Sequence, residues 1–549
     1  MGVSICLTSL LALGPIIVAA LPQTSIFSTT GIPRSNATVL TQSGFVTGHP
    51  AKNATTVAEF LGIPYAQPPI GDLRFAAPAS YNSTRSFQAS AFSPDCPQQG
   101  LSAPPVKYPG QTPQFPSIID SFAGGRGNPQ SEDCLTLNIW TKRPGSSNQT
   151  AVLLWLHGGR FTIGDSNTPF YDGEFLAESQ DIVVVTINYR LNVFGFGTAP
   201  GQPKNVGLLD QRKAIEWVRD NIASFGGDPS KITIMGQSAG GSAVDYYAYA
   251  YAQDPIVAGL ISHSGTAESF APNTPEYSAQ IFSQAAQSLN CTGGGDEQVL
   301  VCMRKVPYTA LLATNKKVTP LDTDALPQPP FHPTVDNITV FNLETYRARG
   351  QAGQFAPIPY LAGNNDKEDG FYRLSALAAK INLTEAQWKQ YDLNGFTCAS
   401  AAATGYRSAL AIPSWHYRYF AAFANTELYP GSGAYHGSDL HMIFGNSEGV
   451  TGIPESPLQT SLKQNMMNAW GAFIKDPSTG LARLNWPTAQ NGLIQLGLGA
   501  SDSGNATVSG NATASAREAL EAVDHADAYS ATCPTSAEKP EISAAQGAF

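Results

Sequence analysis

"KITIMGQSAGGSA", residues 231–243, joins a branched apolar run to a Gly-x-Ser-x-Gly turn and then to a string of small residues. Gly236 and Gly240 stand two positions either side of Ser238. A chain reverses sharply from strand to helix only where the flanking residues are small, and the reversal lifts the central serine to the carboxyl end of a sheet strand. The five-residue pattern alone occurs often by chance. Between a strand and a small-residue helix start it marks Ser238 as a candidate nucleophile facing a crevice.

Outward from this turn the same architecture repeats. "AVLLWL" (151–156), "DIVVVTINY" (181–189) and "IPYLAG" (358–363) are short, branched and apolar like "KITIM" (231–235), which predicts strands buried on both faces. Between the second of these and "KITIM" lies "LLDQRKAIEWVRDNIASFGG" (208–227). Its Leu209, Ile215, Val218, Ile222 and Phe225 recur at helical spacing, and Gly226-Gly227 can end the helix. Strand, helix, strand implies a parallel pair with a right-handed crossover. The fold class is therefore α/β, a large and mostly parallel central sheet with helices on both faces. A late, peripheral helix is expected over "ATASAREALEAVDHADAYSA" (512–531).

Only 13% of the 549 residues are charged, and the net charge is −10 without any Lys/Arg cluster. That balance argues against nucleic acid and anionic membrane as partners. No Pro/Ser-rich linker, charge block or internal repeat divides the chain, so residues 21–549 read as one large domain. The first twenty residues, "MGVSICLTSLLALGPIIVAA", read as a secretory signal peptide cleaved after Ala20. No later apolar stretch is fit to span a bilayer, and "EKPEISAAQGAF" (538–549) lacks the hydrophobic tail of a lipid-anchor signal, so no stable membrane anchor is expected.

Export agrees with nine Asn-X-Ser/Thr sequons, at Asn36, Asn53, Asn82, Asn148, Asn290, Asn337, Asn382, Asn505 and Asn511. Cys6 lies in the leader and leaves six cysteines, an even number that suggests disulfides in an oxidising compartment. Neither H-E-x-x-H, paired Cys-x-x-Cys nor a glycine-rich phosphate loop occurs, so no metal or nucleotide cofactor is expected.

A serine hydroxyl needs a base and an orienting acid to act as a nucleophile. In this class of sheet they follow in the chain order serine, carboxylate, histidine. His263, His332, His416, His436, His441 and His525 lie downstream of Ser238. "GAYHGSDLHMIFG" (433–445) sets His436 among small and glycine residues, as a loop presenting its ring to a site would. His441 is the local rival, beside Met442 and Ile443 in what reads as packed structure. For the acid, "LAGNNDKEDGFY" (361–372) offers Asp366, Glu368 and Asp369.

Taken together these residues resemble the type-B carboxylesterase/lipase family, which includes cholinesterases and fungal secreted lipases. "FLGIPYAQPPIGDLRF" (60–75), "SEDCLTLNIW" (131–140) and "NYRLNVFGF" (188–196) look like its recurring segments. So do "NVGLLDQRKAIEWVRDNIASFGGDPSKITIMGQSAGG" (205–241) and "HGSDL" (436–440). The resemblance implies an α/β-hydrolase fold with Ser238 as nucleophile and His436 as base. The family's acid is a glutamate five residues after the glycine that ends its strand, and counting from Gly363 gives Glu368. Here Asp369 follows, where the family often has glycine or alanine, so Asp369 stands as the alternative. Disulfides Cys96–Cys134 and Cys291–Cys302 are also implied, leaving Cys398 and Cys533 as a third pair or as free buried thiols. Two fold-holding ion pairs look similar as well, Arg74 with Glu132 and Arg190 with Asp210.

In "HGGRF" (157–161) the family's loop supplies the backbone N–H groups of Gly159 and Arg160, and Ala239 supplies a third, to stabilise a developing oxyanion. Because the donor is main chain, Arg160 can stand where glycine is expected if its backbone angles allow. Its side chain either turns away from the crevice or points its guanidinium toward the ester, where it can hold a carboxylate or crowd out bulky acyl groups.

Cholinesterases of the family hold choline with a tryptophan between the first two disulfide cysteines, and residues 97–133 contain none. In the family's lipases this segment forms a lid. "PSIIDSF" (116–122) is its only clearly apolar patch, shorter than an amphipathic lid helix for oil surfaces. The reading is a secreted serine carboxylesterase for soluble esters, with a triacylglycerol lipase as the alternative. A catalytically inactive binding or adhesion homologue is a further reading, opposed by the presence of Ser238, Glu368 and His436 together. The sequence leaves oligomeric state open.

Overall fold

The computed structural model describes residues 37–99, 108–122, 127–318, 328–500, 521–531 and 533. The expected leader, the sequons Asn36, Asn505 and Asn511, and part of segment 97–133 lie outside them.

In chain order the strands are β1 (Thr38–Thr41), β2 (Gly44–Thr47), β3 (His49–Pro50), β4 (Ala58–Pro64), β5 (Ser86–Gln88), β6 (Thr136–Thr141) and β7 (Thr150–Leu156). They continue with β8 (Val183–Ile187), β9 (Gly227–Gln237), β10 (Gly259–His263), β11 (Tyr360–Asn365), β12 (Ser414–Tyr419), β13 (Leu493–Leu496) and β14 (Glu521–Asp524). Strands β1, β2 and β5 form a small sheet, and the other eleven form one large sheet in the order β14-β13-β12-β11-β10-β9-β7-β8-β6-β4-β3. From β8 across to β13 every pairing is parallel, and the antiparallel pairs lie at the two edges. All four strands expected from branched runs are present within this parallel block.

Both faces of the sheet are covered, which is why its strands read as continuous apolar runs rather than alternating ones. In β7, Val152, Leu154 and Leu156 enter one buried cluster with Ile215 and Val218 of the helix Val206–Asn221. Leu153 and Trp155 enter another, with Met466, Trp470 and Phe473 of the helix Pro457–Lys475. Of the five apolar positions expected to line the crossover segment, Ile215, Val218, Ile222 and Phe225 are buried, whereas Leu209 is half-buried and Leu208 takes the buried position.

The expected late helix is a correction. Its described part contains β14, which pairs antiparallel with β13 from Leu493↔Asp524 to Leu496↔Glu521. An unpaired edge of the large sheet offers a ladder of backbone hydrogen bonds, and here it overrides a helical propensity that is only a weak prior. Residues 512–520 lie outside the described residues.

Three disulfides cross-link the chain: Cys96–Cys134, Cys291–Cys302 and Cys398–Cys533. The last joins residues 135 apart, and its two cysteines are bonded rather than free thiols. Arg190 grips Asp210 with Nε at 2.8 Å and Nη2 at 2.7 Å, both side chains being buried. Arg74 Nε donates to Glu132 Oε1 at 2.7 Å, and Nη1 reaches the carbonyls of Met303 and Val306. The sequons Asn53, Asn82, Asn148, Asn290, Asn337 and Asn382 are all exposed. No helix among the described residues is long and apolar enough to cross a membrane.

Candidate active site

Strand β9 ends at Gln237 and a helix runs over Ala239–Ala250, leaving Ser238 alone at the turn with φ 58° and ψ −123°. A non-glycine residue holds such angles only where its surroundings over-determine them. The two glycines provide that. A Cβ on Gly236 would lie 2.4 Å from the Gly240 backbone, and one on Gly240 would lie 2.0 Å from the Leu156 carbonyl oxygen. The Ser238 N–H donates to the His263 carbonyl at 2.8 Å, which pins the turn to β10. Ala239 is the first helical residue, so its N–H has no partner within the helix.

The loop after β7 closes over this turn. A Cβ on Gly158 would come within 3.1 Å of Ser238 Cβ, and one on Gly159 (φ 98°) within 2.1 Å of the Ile163 carbonyl oxygen. Arg160 and Phe161 follow with φ 56° and 60°, both left-handed. His157 is buried, its ring stacked on Tyr189 at 4.3 Å, and burial pushes its pKa down to about 4. It stays neutral and serves the loop, not the chemistry.

Glu368 sits three residues past β11 and is fully buried. His436 Nδ1–H donates to Glu368 Oε2 at 2.6 Å. The other carboxylate oxygen accepts from Ser264 Oγ at 2.7 Å and from the Asn365 N–H at 2.6 Å. Three donors on one carboxylate fix its orientation and that of the imidazole it holds. The rival carboxylates are engaged elsewhere: Asp369 with Arg373, and Asp366 with Arg418. His441 is buried against the Phe170 ring at 4.2 Å, its pKa pushed down to about 3 by burial. Neither of its ring nitrogens has a hydrogen-bond partner among the described residues.

Ser238 and His436 are not hydrogen-bonded to each other in this structure. Instead His436 Nε2 accepts from Gln237 Nε2–H at 3.0 Å, and Ser238 and Tyr372 line one cavity. Resting hydrogen bonds of this kind are commonly loose and tighten when substrate binds. The Tyr372 and Tyr391 rings pack with centroids 5.1 Å apart in the wall of the same cavity. Gln237, Tyr372 and Tyr391 carry no motif and went unnoticed in the sequence. Only position 237, inside the Gly-x-Ser-x-Gly turn, offered a signal.

A narrow cavity opens beside Ser238, lined by Arg160, Ala239, Phe270, Gln328, Tyr372 and Tyr391 among others. Arg160 lines it, and its Nη2–H donates to Gln328 Oε1 at 3.1 Å. The patch 116–122 forms the short helix Phe115–Phe122 with Phe115, Ile118 and Ile119 buried. Its last residue, Phe122, packs 5.3 Å from the Phe371 ring and lies where a Cβ on Gly437 would be 2.7 Å away. That places the end of the helix next to His436. Among the described residues no group of three or more His, Cys, Asp or Glu has the arrangement of a metal site.

A mostly parallel sheet with a strained serine turn at the end of a central strand and a buried glutamate–histidine pair beside it is the α/β-hydrolase architecture of the carboxylic ester hydrolases. Residues 35–404 match the model of the carboxylesterase family, and the chain belongs to that family. It is 32% identical over 500 residues to secreted lipase 5 of Gibberella zeae, covering 87% of this chain and 92% of that protein. To the chlorogenic acid esterase of Aspergillus niger it is 34% identical over 456 residues, 81% and 84% of the two chains. A mouse cholinesterase is 36% identical over 286 residues, 51% of this chain and 45% of the relative.

Proposed function

We propose that this protein is a secreted serine carboxylesterase that cleaves soluble esters through an acyl-enzyme, with Ser238, Glu368 and His436 as its triad. The observation that carries the reading is the 2.6 Å bond between His436 Nδ1 and Glu368 Oε2, made next to a serine held at a left-handed turn. With Nδ1–H committed to Glu368, the Nε2 lone pair is the one left to accept a proton.

His436 exchanges Gln237 for Ser238, takes the hydroxyl proton as the oxygen attacks the ester carbonyl, and returns it to the departing alcohol. Water then repeats the sequence and frees the acid. Glu368 keeps the imidazole in the required tautomer and stabilises the cation that forms. The N–H groups of Gly159, Arg160 and Ala239 receive the developing charge on the carbonyl oxygen; one such donor is worth about 10²–10³ in rate.

The chlorogenic acid esterase relative supports a small soluble ester, as do the aromatic walls of the cavity at Ser238. A triacylglycerol lipase is the second reading, favoured by the secreted lipase relative and by the short apolar helix Phe115–Phe122 beside His436. Secretion is supported by the leader-like first twenty residues, three disulfides and six exposed sequons, with residues 21–549 as one hydrolase domain.

The test is hydrolysis of p-nitrophenyl acetate, butyrate and palmitate by purified protein beside Ser238→Ala. Hydrolysis of the short esters that vanishes in the variant is expected. A preference for palmitate above its solubility limit would move the reading to lipase, and equal rates for variant and wild type would remove Ser238 from the chemistry.

A further inference from the structure

Ser242 stands near the start of the helix Ala239–Ala250, and its N–H donates to the Ser238 carbonyl at 2.9 Å. A serine inside a helix usually turns its hydroxyl to solvent or back to the carbonyl four residues earlier. Ser242 does neither: it is 2% exposed, and among the described residues its Oγ has no hydrogen-bond partner. Alanine is the better helix former and would escape the cost, about 1–3 kcal/mol, of a buried hydroxyl left unpaired. Such a cost kept beside a nucleophile is a reason to look for a use of the group. Ser242 lines the cavity that holds Ser238, and so does Gln328. Gln328 Oε1 accepts from Arg160 Nη2–H at 3.1 Å. A guanidinium only donates, so the amide oxygen must face it and the NH₂ end is turned the other way. That Nε2 is buried and likewise has no partner among the described residues.

Two unpaired donors thus share a wall that is otherwise largely aromatic, with Phe161, Tyr246 and Phe270. Both are neutral, so they match an oxygen acceptor that carries no charge, and apolar surroundings strengthen each bond made there. A plain alkyl chain in the same place leaves both donors unpaired and is disfavoured for that reason. Ser242 lies one helical turn, about 5.4 Å, beyond Ser238, so an oxygen about three or four bonds from the ester carbon comes within reach of it. We infer that the cavity beside Ser238 is a hydrogen-bonding subsite, in which the Ser242 hydroxyl and the Gln328 amide donate to an uncharged oxygen of the substrate, a hydroxyl, ether or carbonyl. This rests on the acyl-enzyme reading above and names the substrate class for that same site.

The experiment uses the full chain, with Ser242→Ala, Gln328→Glu and Gln328→Met, and two matched substrate pairs. One pair is p-nitrophenyl 3-methoxypropanoate and p-nitrophenyl pentanoate, with the extra oxygen on the acyl side. The other is 2-methoxyethyl acetate and butyl acetate, with it on the alcohol side. Within each pair the chains are equally long and differ only in an ether oxygen for a methylene. The quantity read is the ratio of kcat/KM for the ether over the alkyl ester, so changes common to both esters cancel. Ser242→Ala deletes the hydroxyl. Gln328→Glu keeps an oxygen for Arg160 but loses the N–H donors, and Gln328→Met removes the amide while keeping its bulk.

In all three variants the ratio should fall about two- to tenfold in the same pair, the span expected for one neutral hydrogen bond. Which pair responds tells whether the acyl or the alcohol side enters. A fall smaller than about twofold in both pairs, for Ser242→Ala or for either Gln328 variant, overturns the inference. So does a response of the two residues in different pairs, because they would then not serve one acceptor. Failure of the underlying reading looks different: the alkyl esters would then be hydrolysed as fast by Ser238→Ala as by wild type, and the subsite would fall with it.

Discussion

Replacing His441 by leucine should stabilise the protein, and by more in acid than at neutrality. His441 lies on the short helix Leu440–Ile443, fully buried and edge-on to the Phe170 ring at 4.2 Å. Neither ring nitrogen finds a partner among the described residues. A buried, unsatisfied polar group costs about 1–3 kcal/mol, and leucine of similar volume removes it, so a gain of about 1–2 kcal/mol is expected at pH 7. The acid part follows from linkage. Burial holds the folded-state pKa at about 3, against about 6.5 for an unperturbed histidine. Between those values the unfolded chain binds a proton that the folded chain refuses. The wild type therefore loses stability as the pH falls through this window, by about 1.4 kcal/mol per pH unit. At pH 5 the leucine variant should lead by about 2 kcal/mol more than at pH 7. Urea unfolding of both proteins at the two pH values reads this directly, with ester hydrolysis at pH 7 as a separate readout that should persist. An advantage of equal size at both pH values would refute the reasoning, because His441 would then accept its proton while folded. A variant less stable at both would mean that its nitrogens are satisfied after all.

Glu368→Gln should lower kcat about 10³- to 10⁴-fold with little change in KM, since an amide facing Nδ1 selects the wrong tautomer; steady-state kinetics beside an unchanged circular dichroism spectrum checks it. Gln237→Glu places a carboxylate 3.0 Å from His436 Nε2, favours the protonated ring, and should move the acid limb of the kcat/KM profile up by about 1–2 pH units. A limb that stays in place would show that residue 237 does not govern the base. Asp210→Asn strands the buried Arg190 guanidinium and should cost about 3–5 kcal/mol in chemical denaturation, while the kcat of the folded fraction is retained.

How much of this was legible in the sequence depended on how local the physics is. The serine turn was readable because its requirement is steric and contained in five residues: no side chain fits at Gly236 or Gly240. The strands of the parallel block were readable because burial on both faces makes them uniformly apolar. Glu368 needed a spacing counted from Gly363, and two of its three donors, Ser264 and His436, come from segments that no window around it contains. Tyr372 and Tyr391 look like ordinary core aromatics until the fold brings them into the cavity beside Ser238. β14 was misread for the complementary reason. Its residues suit a helix locally, and only the open edge of β13 makes them a strand.

Precision and freedom lie in different halves of the site. Glu368 and His436 ride on two loops, and the scaffold stitches these loops together beneath the bond between them. The Lys367 N–H donates to the Ala434 carbonyl at 3.0 Å, and Asn365 Nδ2 donates to the Tyr435 carbonyl at 2.7 Å and to Asp439 Oδ1 at 3.2 Å. Asp439 is held from behind by His263 Nδ1 at 3.1 Å and the Tyr417 hydroxyl at 3.1 Å, while Trp470 Nε1–H donates to His263 Nε2 at 3.1 Å. Burial alone would raise the Asp439 pKa, yet these partners hold it below the usual carboxylate range, so the stitch keeps its charge. The orienting half of the proposed triad is thus fixed before substrate arrives. What stays adjustable is the proton-accepting half, where Gln237 holds His436 Nε2. This is a single neutral hydrogen bond worth about 1 kcal/mol, weak enough for an ester entering the cavity to exchange it for the serine–histidine bond that the proposed chemistry needs.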